Sequence, residues 1–145
     1  MDSKKIYCDL LVLQDKSHTY HIRTVNALRC KTLHGAFWEV YTSLQEMVDS
    51  FWENIIMKLE GWMIPSNGEA YDETSIWDAE ETDRQKMLTD LYKDIECMEE
   101  CFHEALNEAE NDTAEIIGKM WSKFTDLCAL LVREMYALPK DEEEE

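Results

Sequence analysis

Apolar residues recur every three or four positions along four long stretches of the chain. These cover about residues 3 to 25, 31 to 60, 83 to 109 and 113 to 137. The period is that of an amphipathic α-helix. Ser3 is a plausible N-cap of the first stretch, and Gly61 a plausible C′ glycine of the second. The sequence therefore predicts four long helices.

Two short connections and one long one join these helices. Residues 61–82 interrupt the period, with a turn expected at 65–68 and one short helix at 74–80. Short connections make their flanking helices antiparallel, whereas a long one can cross a bundle from end to end. This organisation predicts an all-α, ferritin-like four-helix bundle whose crossover connection contains a short helix. An up-and-down bundle with a loose middle loop is the alternative.

The chain has the length and composition of one domain. Its 145 residues are 45% hydrophobic, and two prolines with four glycines favour long helices over many strands. We assign residues 1–138 to the bundle and 139–145 to an acidic, disordered tail. Five cysteines without a CxxC motif suit reduced thiols, which we expect to be small core residues.

The net charge excludes some partners and favours others. It is −18 at pH 7, and the last five residues, DEEEE, carry five of these charges, so the rest of the chain is acidic too. Such a surface repels DNA phosphates and attracts cations. No apolar run approaches the roughly 18 residues of a membrane span, and charges interrupt any signal-like segment at the N-terminus. We expect a cytoplasmic protein.

Two histidines flank the break between the first two helices. His21 ends helix one and His34 begins helix two, which also carries Asp49 and Glu53 one turn apart on one side. Along the axis His34 lies about 22 Å from Asp49, so they cannot meet within one chain. A twofold axis that packs two such helices antiparallel brings them together and makes two equivalent sites. Two imidazoles and two carboxylates suit Fe(II).

Other interpretations of these histidines remain open. His34 is also compatible with a hydrogen-bonded interface histidine, and His18 with a surface position or with a helper of the site. Glu100 and His103 form a Glu-x-x-His motif, as in metal sites inside one bundle, although helix four offers no second copy.

The combination of elements resembles the Dps family, the mini-ferritins named as DNA-binding proteins from starved cells. The resemblance rests on His21, His34, the D-x-x-x-E of Asp49 and Glu53, the turn AENDTAEII at 109–117 and the long middle connection. It covers about residues 5 to 137.

The resemblance implies an iron-storing cage of twelve subunits that protects against oxidative damage. Each twofold interface would hold one or two irons between His21 and His34 of one chain and Asp49 and Glu53 of its mate. There a ferroxidase reaction would oxidise Fe(II) to Fe(III), with hydrogen peroxide or dioxygen as the oxidant. Trp52 is a candidate electron relay, and Glu115 a candidate residue of an ion pore.

The sequence departs from the family pattern at the proposed site. Trp38 stands where a carboxylate usually follows the second histidine, and Ile22 where a tryptophan usually follows the first. The second iron position is therefore in doubt, and a Dps-like structural shell with weak or lost activity is the alternative function. Lys4 and Lys5 are the sole terminal basic pair, so we expect no DNA binding.

Overall fold

The computed structural model describes residues 1–24, 31–61 and 65–137, and within these ranges it contains helices and no strand. The all-α prediction is therefore confirmed. The helices are α1 (Ser3–Arg23), α2 (Lys31–Phe51), α3 (Asn67–Glu73), α4 (Arg84–Glu108) and α5 (Asn111–Ala137), and α2 continues as a π-helical segment (Trp52–Glu60). The predicted acidic tail lies outside the described residues.

The four long helices contribute to one apolar core. The residues that set the helical period in the sequence are buried in it, among them Leu13 of α1 and Leu44 of α2. At its centre Phe102 packs edge-on against Phe51 and face-on against Phe124, with ring centroids 6.1 and 5.2 Å apart. Burial of these faces stabilises helices that would be marginal alone.

The directions of the helices show how the long connection runs. α1 is antiparallel to α2, because His21 lies beside His34 while Tyr7 lies beside Trp52. α1 is also antiparallel to α4, since Tyr20 in its last turn contacts Asp90 near the start of α4, while Met1 just before α1 pairs with Glu108 at the end of α4. α2 and α4 therefore point the same way, and residues 61–83 must return along the molecule.

The short helix begins earlier than predicted. The sequence analysis placed it at 74–80, but α3 covers Asn67–Glu73 and residues 74–83 are not helical. The Ser66 hydroxyl accepts a hydrogen bond from the Glu69 backbone N–H at 3.2 Å, which caps the first turn. The expected turn at 65–68 is therefore the start of α3.

A buried carboxylate explains why α3 ends at Glu73. Asp9 of α1 accepts hydrogen bonds from the Thr74 hydroxyl at 2.6 Å and from the Ser75 backbone N–H at 3.0 Å. Lys5 adds an ion pair to Asp9 at 2.9 Å. These bonds hold the chain after α3 extended against α1, so the helical propensity of 74–80 is overridden by a tertiary contact.

The ends of the first two helical stretches differ in how well the sequence predicted them. The N-cap of α1 is Asp2, whose carboxylate accepts from the Lys5 N–H at 3.1 Å, and Ser3 is the first helical residue instead. Gly61 is left-handed with φ 68°, and its N–H donates to the Ile56 carbonyl at 2.6 Å. The predicted C′ glycine is thus confirmed, since such a φ favours glycine.

The cysteines in the described residues are free thiols in more varied surroundings than expected. Cys8 is fully buried, as a core residue should be, whereas Cys97 is exposed on α4. Cys101 and Cys128 are half-buried. The core interpretation is therefore wrong for Cys97, which lies on the solvent side of its helix, and Cys30 lies outside the described residues.

A buried ionic network joins α1 to α4. Lys16 has no exposed side-chain surface, and its ammonium group lies 2.9 Å from Asp90 and also contacts Asp94. The Tyr20 hydroxyl donates to Asp90. Burial, followed by the hydrogen bond to Asp90, raises the pKa of Tyr20 well above its ordinary value of 10.0. Burial also raises the pKa of Asp94.

The raised pKa of Tyr20 predicts a loss of stability in alkali. The Tyr20 phenol ionises near pH 10 in the unfolded chain but at higher pH in the folded protein. Its contribution to the free energy of unfolding is therefore full below about pH 10 and is lost as the pH rises above 10. We expect Tyr20→Phe to weaken this alkaline loss, measured as urea midpoints at about pH 8 and about pH 11. Tyr136→Phe, which changes a phenol 88% exposed, should keep the wild-type pH dependence. An equal alkaline loss in Tyr20→Phe would contradict the assignment.

Candidate metal centre

The fold brings His21 and His34 into direct contact. His21 lies in the last turn of α1 and His34 in the first turn of α2, and their rings stack with centroids 3.8 Å apart and planes 20° apart. The antiparallel packing of α1 on α2 is what closes the 13-residue separation. Both side chains are half-buried at the surface.

Each ring is held by the backbone of the other residue. His21 Nδ1 lies 2.9 Å from the His34 carbonyl oxygen, and His34 Nδ1 lies 2.7 Å from the His21 carbonyl oxygen. A carbonyl oxygen can only accept, so each Nδ1 carries a hydrogen and donates it. In the neutral imidazole this leaves each Nε2 with a free lone pair, the state in which histidine binds a metal.

Thr24 strengthens this arrangement from the end of α1. Its hydroxyl donates to the backbone carbonyls of Tyr20 and His21, at 3.1 and 2.9 Å, and lies 3.2 Å from His34 Nδ1. Because the hydroxyl hydrogen is directed to carbonyls, its oxygen accepts from His34. Such partners orient the ring of a ligating histidine. The sequence analysis did not identify Thr24, although its position just after a terminal histidine was visible.

Aromatic side chains surround the histidine pair on its outer side. The Trp38 ring lies 4.9 Å from the His21 ring and 5.4 Å from that of Tyr41. The ring of His18 stacks on Tyr41 at 4.5 Å and lies 6.3 Å from His21. Trp38 remains 47% exposed and Ile22 54% exposed. This group forms an apolar surface around the imidazoles, and Tyr41 was not singled out from the sequence.

Asp49 and Glu53 are exposed at the other end of α2. Burial raises the pKa of the Tyr7 phenol, and the negative charge of the nearby Asp49 raises it further. Glu53 is the second residue of the π-helical segment, so the step from Asp49 to Glu53 spans a change of helix type. Sequence periodicity assumes 3.6 residues per turn throughout and did not predict this change.

A single chain does not assemble the four candidate ligands. Within residues 1–24, 31–61 and 65–137, no three His, Cys, Asp or Glu side chains are arranged to hold a metal ion. The structure brings His21 to His34 and leaves Asp49 and Glu53 in another region of the surface. The histidine pair thus offers two nitrogen donors, and further ligands must come from elsewhere.

Trp52, the candidate electron relay, and Glu115, the candidate pore residue, lie away from the histidine pair. Trp52 is half-buried against Tyr7, with ring centroids 6.4 Å apart. Glu115 is exposed near the start of α5, and its carboxylate pairs with Lys119 at 3.5 Å. This positive neighbour offsets part of the charge that an ion pore would use, and the pore assignment stays a prediction.

The Glu-x-x-His motif of α4 lies on the surface. Glu100 and His103 are both exposed, and the His103 ring stacks on Trp121 of α5 with centroids 4.9 Å apart. A metal site of this type requires side chains that project into the core. The alternative of a site within one bundle is therefore wrong for this motif.

No helix in the described part of the chain is long and apolar enough to cross a membrane. Comparisons with known protein families, with curated proteins and with solved structures found no match for this chain.

Proposed function

We propose that this protein is a Dps-like mini-ferritin, which oxidises Fe(II) at a site shared between two copies of the chain and stores the ferric product. The observation that carries the proposal is the reciprocal bonding of His21 and His34. Both Nδ1 atoms are committed to backbone carbonyls within 2.9 Å, so both Nε2 lone pairs are available. Such fixed tautomers are typical of metal-binding histidines.

The helix directions support the ferritin-like assignment. α1 is antiparallel to α2 and α4, and the connection between α2 and α4 returns along the molecule and contains α3. This is the order expected of a ferritin-like bundle with one long crossover. A cage of twelve such subunits and a cytoplasmic location stay predictions.

In the proposed assembly, two α2 helices pack antiparallel across a twofold axis. The histidine pair of one copy then faces Asp49 and Glu53 of the other, both of which are exposed and available. Carboxylates favour Fe(III) over Fe(II), because their negative charge stabilises the higher charge of the product. With two irons, hydrogen peroxide takes one electron from each, and two protons complete the formation of two water molecules.

A structural shell with weak or lost activity is the second candidate. It is favoured by Trp38, whose indole lies 4.9 Å from the His21 ring and provides no oxygen ligand. Such a shell would keep the assembly and bind iron poorly. DNA compaction is disfavoured in both cases by the charge of −18.

Anaerobic titration with Fe(II), followed by one addition of hydrogen peroxide, tests the proposal. We expect saturable Fe(II) binding and then a fast rise of ferric absorbance. His34→Ala should lower Fe(II) affinity by more than about 100-fold, because loss of a ligand exceeds loss of an outer partner. His103→Ala, which alters an exposed histidine on α4, should behave as wild type.

Light scattering of the same samples separates the two candidates. An assembled particle with rapid oxidation supports the ferroxidase, whereas an assembled particle that shows background autoxidation alone supports the shell. A monomeric protein, or a fast phase unchanged in His34→Ala, would overturn the shared-site proposal.

A further inference from the structure

Two cysteines lie one helical turn apart on the surface of α4. Cys97 is exposed and Cys101 is half-buried, and both are free thiols. Residues four apart in a helix share one face, so the two sulfur atoms are neighbours. Burial raises the pKa of Cys101, and a negative charge on Cys97 raises it further, as expected of thiols close enough to interact. We call these two residues the thiol pair.

Helix geometry places the thiol pair within reach of a disulfide bond. Four residues advance about 6.0 Å along the axis and turn about 40° beyond one revolution, so the two Cα atoms lie about 6.2 Å apart. Disulfides join residues whose Cα atoms are about 4.4 to 6.8 Å apart. The Cβ atoms must approach from about 5 to 6 Å in a helix to about 4 Å. This distortion of α4 makes the bond easy to reduce again.

The other half-buried cysteine of the described residues is in a different environment. Burial raises the pKa of Cys128 on α5, and the charges of Glu99 and Glu96 raise it further, which places Cys128 beside those two residues. At about 100° per residue, Glu96 and Glu99 lie on the far side of α4 from the thiol pair. Cys128 is therefore not a partner for either thiol.

We propose that the thiol pair is a reversible oxidation site for hydrogen peroxide, which converts it into a disulfide within α4; this inference does not use the proposed iron site. The Cys97 thiolate attacks one peroxide oxygen and breaks the O–O bond, which gives a sulfenic acid and hydroxide. The Cys101 sulfur then attacks the Cys97 sulfur and expels a second hydroxide. With the two thiol protons, two thiols and one hydrogen peroxide give one disulfide and two water molecules.

Exposure and charge assign the roles of the two thiols and the class of oxidant. Cys97 is exposed and meets the oxidant first, whereas burial raises the pKa of Cys101 and disfavours its thiolate. The nearby Lys5 ammonium group opposes part of this effect and helps Cys101 to act second. A chain with a charge of −18 repels anionic disulfides, but it does not repel hydrogen peroxide, which is neutral.

Mass spectrometry of the full-length, iron-free protein tests the proposal, with a metal chelator present and hydrogen peroxide in small molar excess. Cleavage after Glu99 or Glu100 cuts the chain between the two cysteines, so a disulfide alone can keep the fragments together. We expect a joined pair that is two hydrogen atoms lighter than the reduced fragments. It should disappear after treatment with dithiothreitol, and Cys128→Ser should behave as the wild type.

Single variants of the thiol pair test the order of the two steps. Cys101→Ser blocks the second step, so dimedone should trap several-fold more sulfenic acid at Cys97 than in the wild type. In Cys97→Ser, Cys101 should stay reduced over the same time. The proposal would be overturned if both thiols stay reduced in the wild type, if Cys97 is oxidised without a joined fragment, or if Cys97 bonds to another chain.

Discussion

Mixing His34→Ala chains with Asp49→Asn chains should restore about one quarter of the fast iron-oxidation sites, although neither variant alone has any. In the proposed twofold dimer each site would take histidines from one chain and carboxylates from the other. A mixed dimer therefore contains one site with both defects and one intact site. Random pairing makes about half of the dimers mixed, and half of their sites are intact.

The measurement is the amplitude of the fast ferric phase after the two variants are dissociated and reassembled together. A mixture of His21→Ala with His34→Ala is the matched control, because both defects lie on the histidine side and no site can be intact. Mass spectrometry should verify that mixed dimers form. Mixed dimers without recovered activity would contradict a site shared between chains.

Replacing Lys16 by Ala should lower the free energy of unfolding by about 3 kcal/mol, near the lower end for a broken buried ion pair. Lys16 has no exposed side-chain surface, so its removal leaves Asp90 and Asp94 facing each other without a cation. The lower end applies because the Asp90 side chain is 30% exposed and water partly screens its charge.

Urea unfolding at pH 7 measures this effect, with Lys4→Ala as the control. Lys4 lies exposed on the same helix, and its loss should change stability by less than about 0.5 kcal/mol. Lys16→Met combined with Asp90→Asn and Asp94→Asn should recover much of the loss, since it removes the whole ionic group. A single Lys16→Ala that costs no more than the control would show that the network is dispensable.

Much of the helical framework followed from the chain itself. Positions such as Leu13, Leu44 and Phe102 recur at the helical period, and each is buried in the shared core. Gly61 was predicted to end the second helix because a left-handed residue there favours glycine, and its φ is 68°. These features depend on neighbours within a turn or two, which the local sequence displays directly.

The candidate site was predicted in part. His21 and His34 were expected to lie close together, and their contact at 3.8 Å confirms this. The proximity of Asp49 and Glu53 from a second copy stays a prediction, since it concerns two chains. The sequence showed that Trp38 stands where the family pattern has a carboxylate. It did not predict that the Trp38 ring packs between those of His21 and Tyr41.

The periodicity of apolar residues determined the number, length and class of the long helices, because burial of one helical face needs a repeat that is visible in sequence. Tertiary structure decided the rest. The bonds between His21 and His34 join residues 13 apart, and those from Thr74 and Ser75 to Asp9 join residues at least 65 apart. No local preference encodes such contacts, which form when packed helices bring distant polar groups out of water and each group must then find a partner.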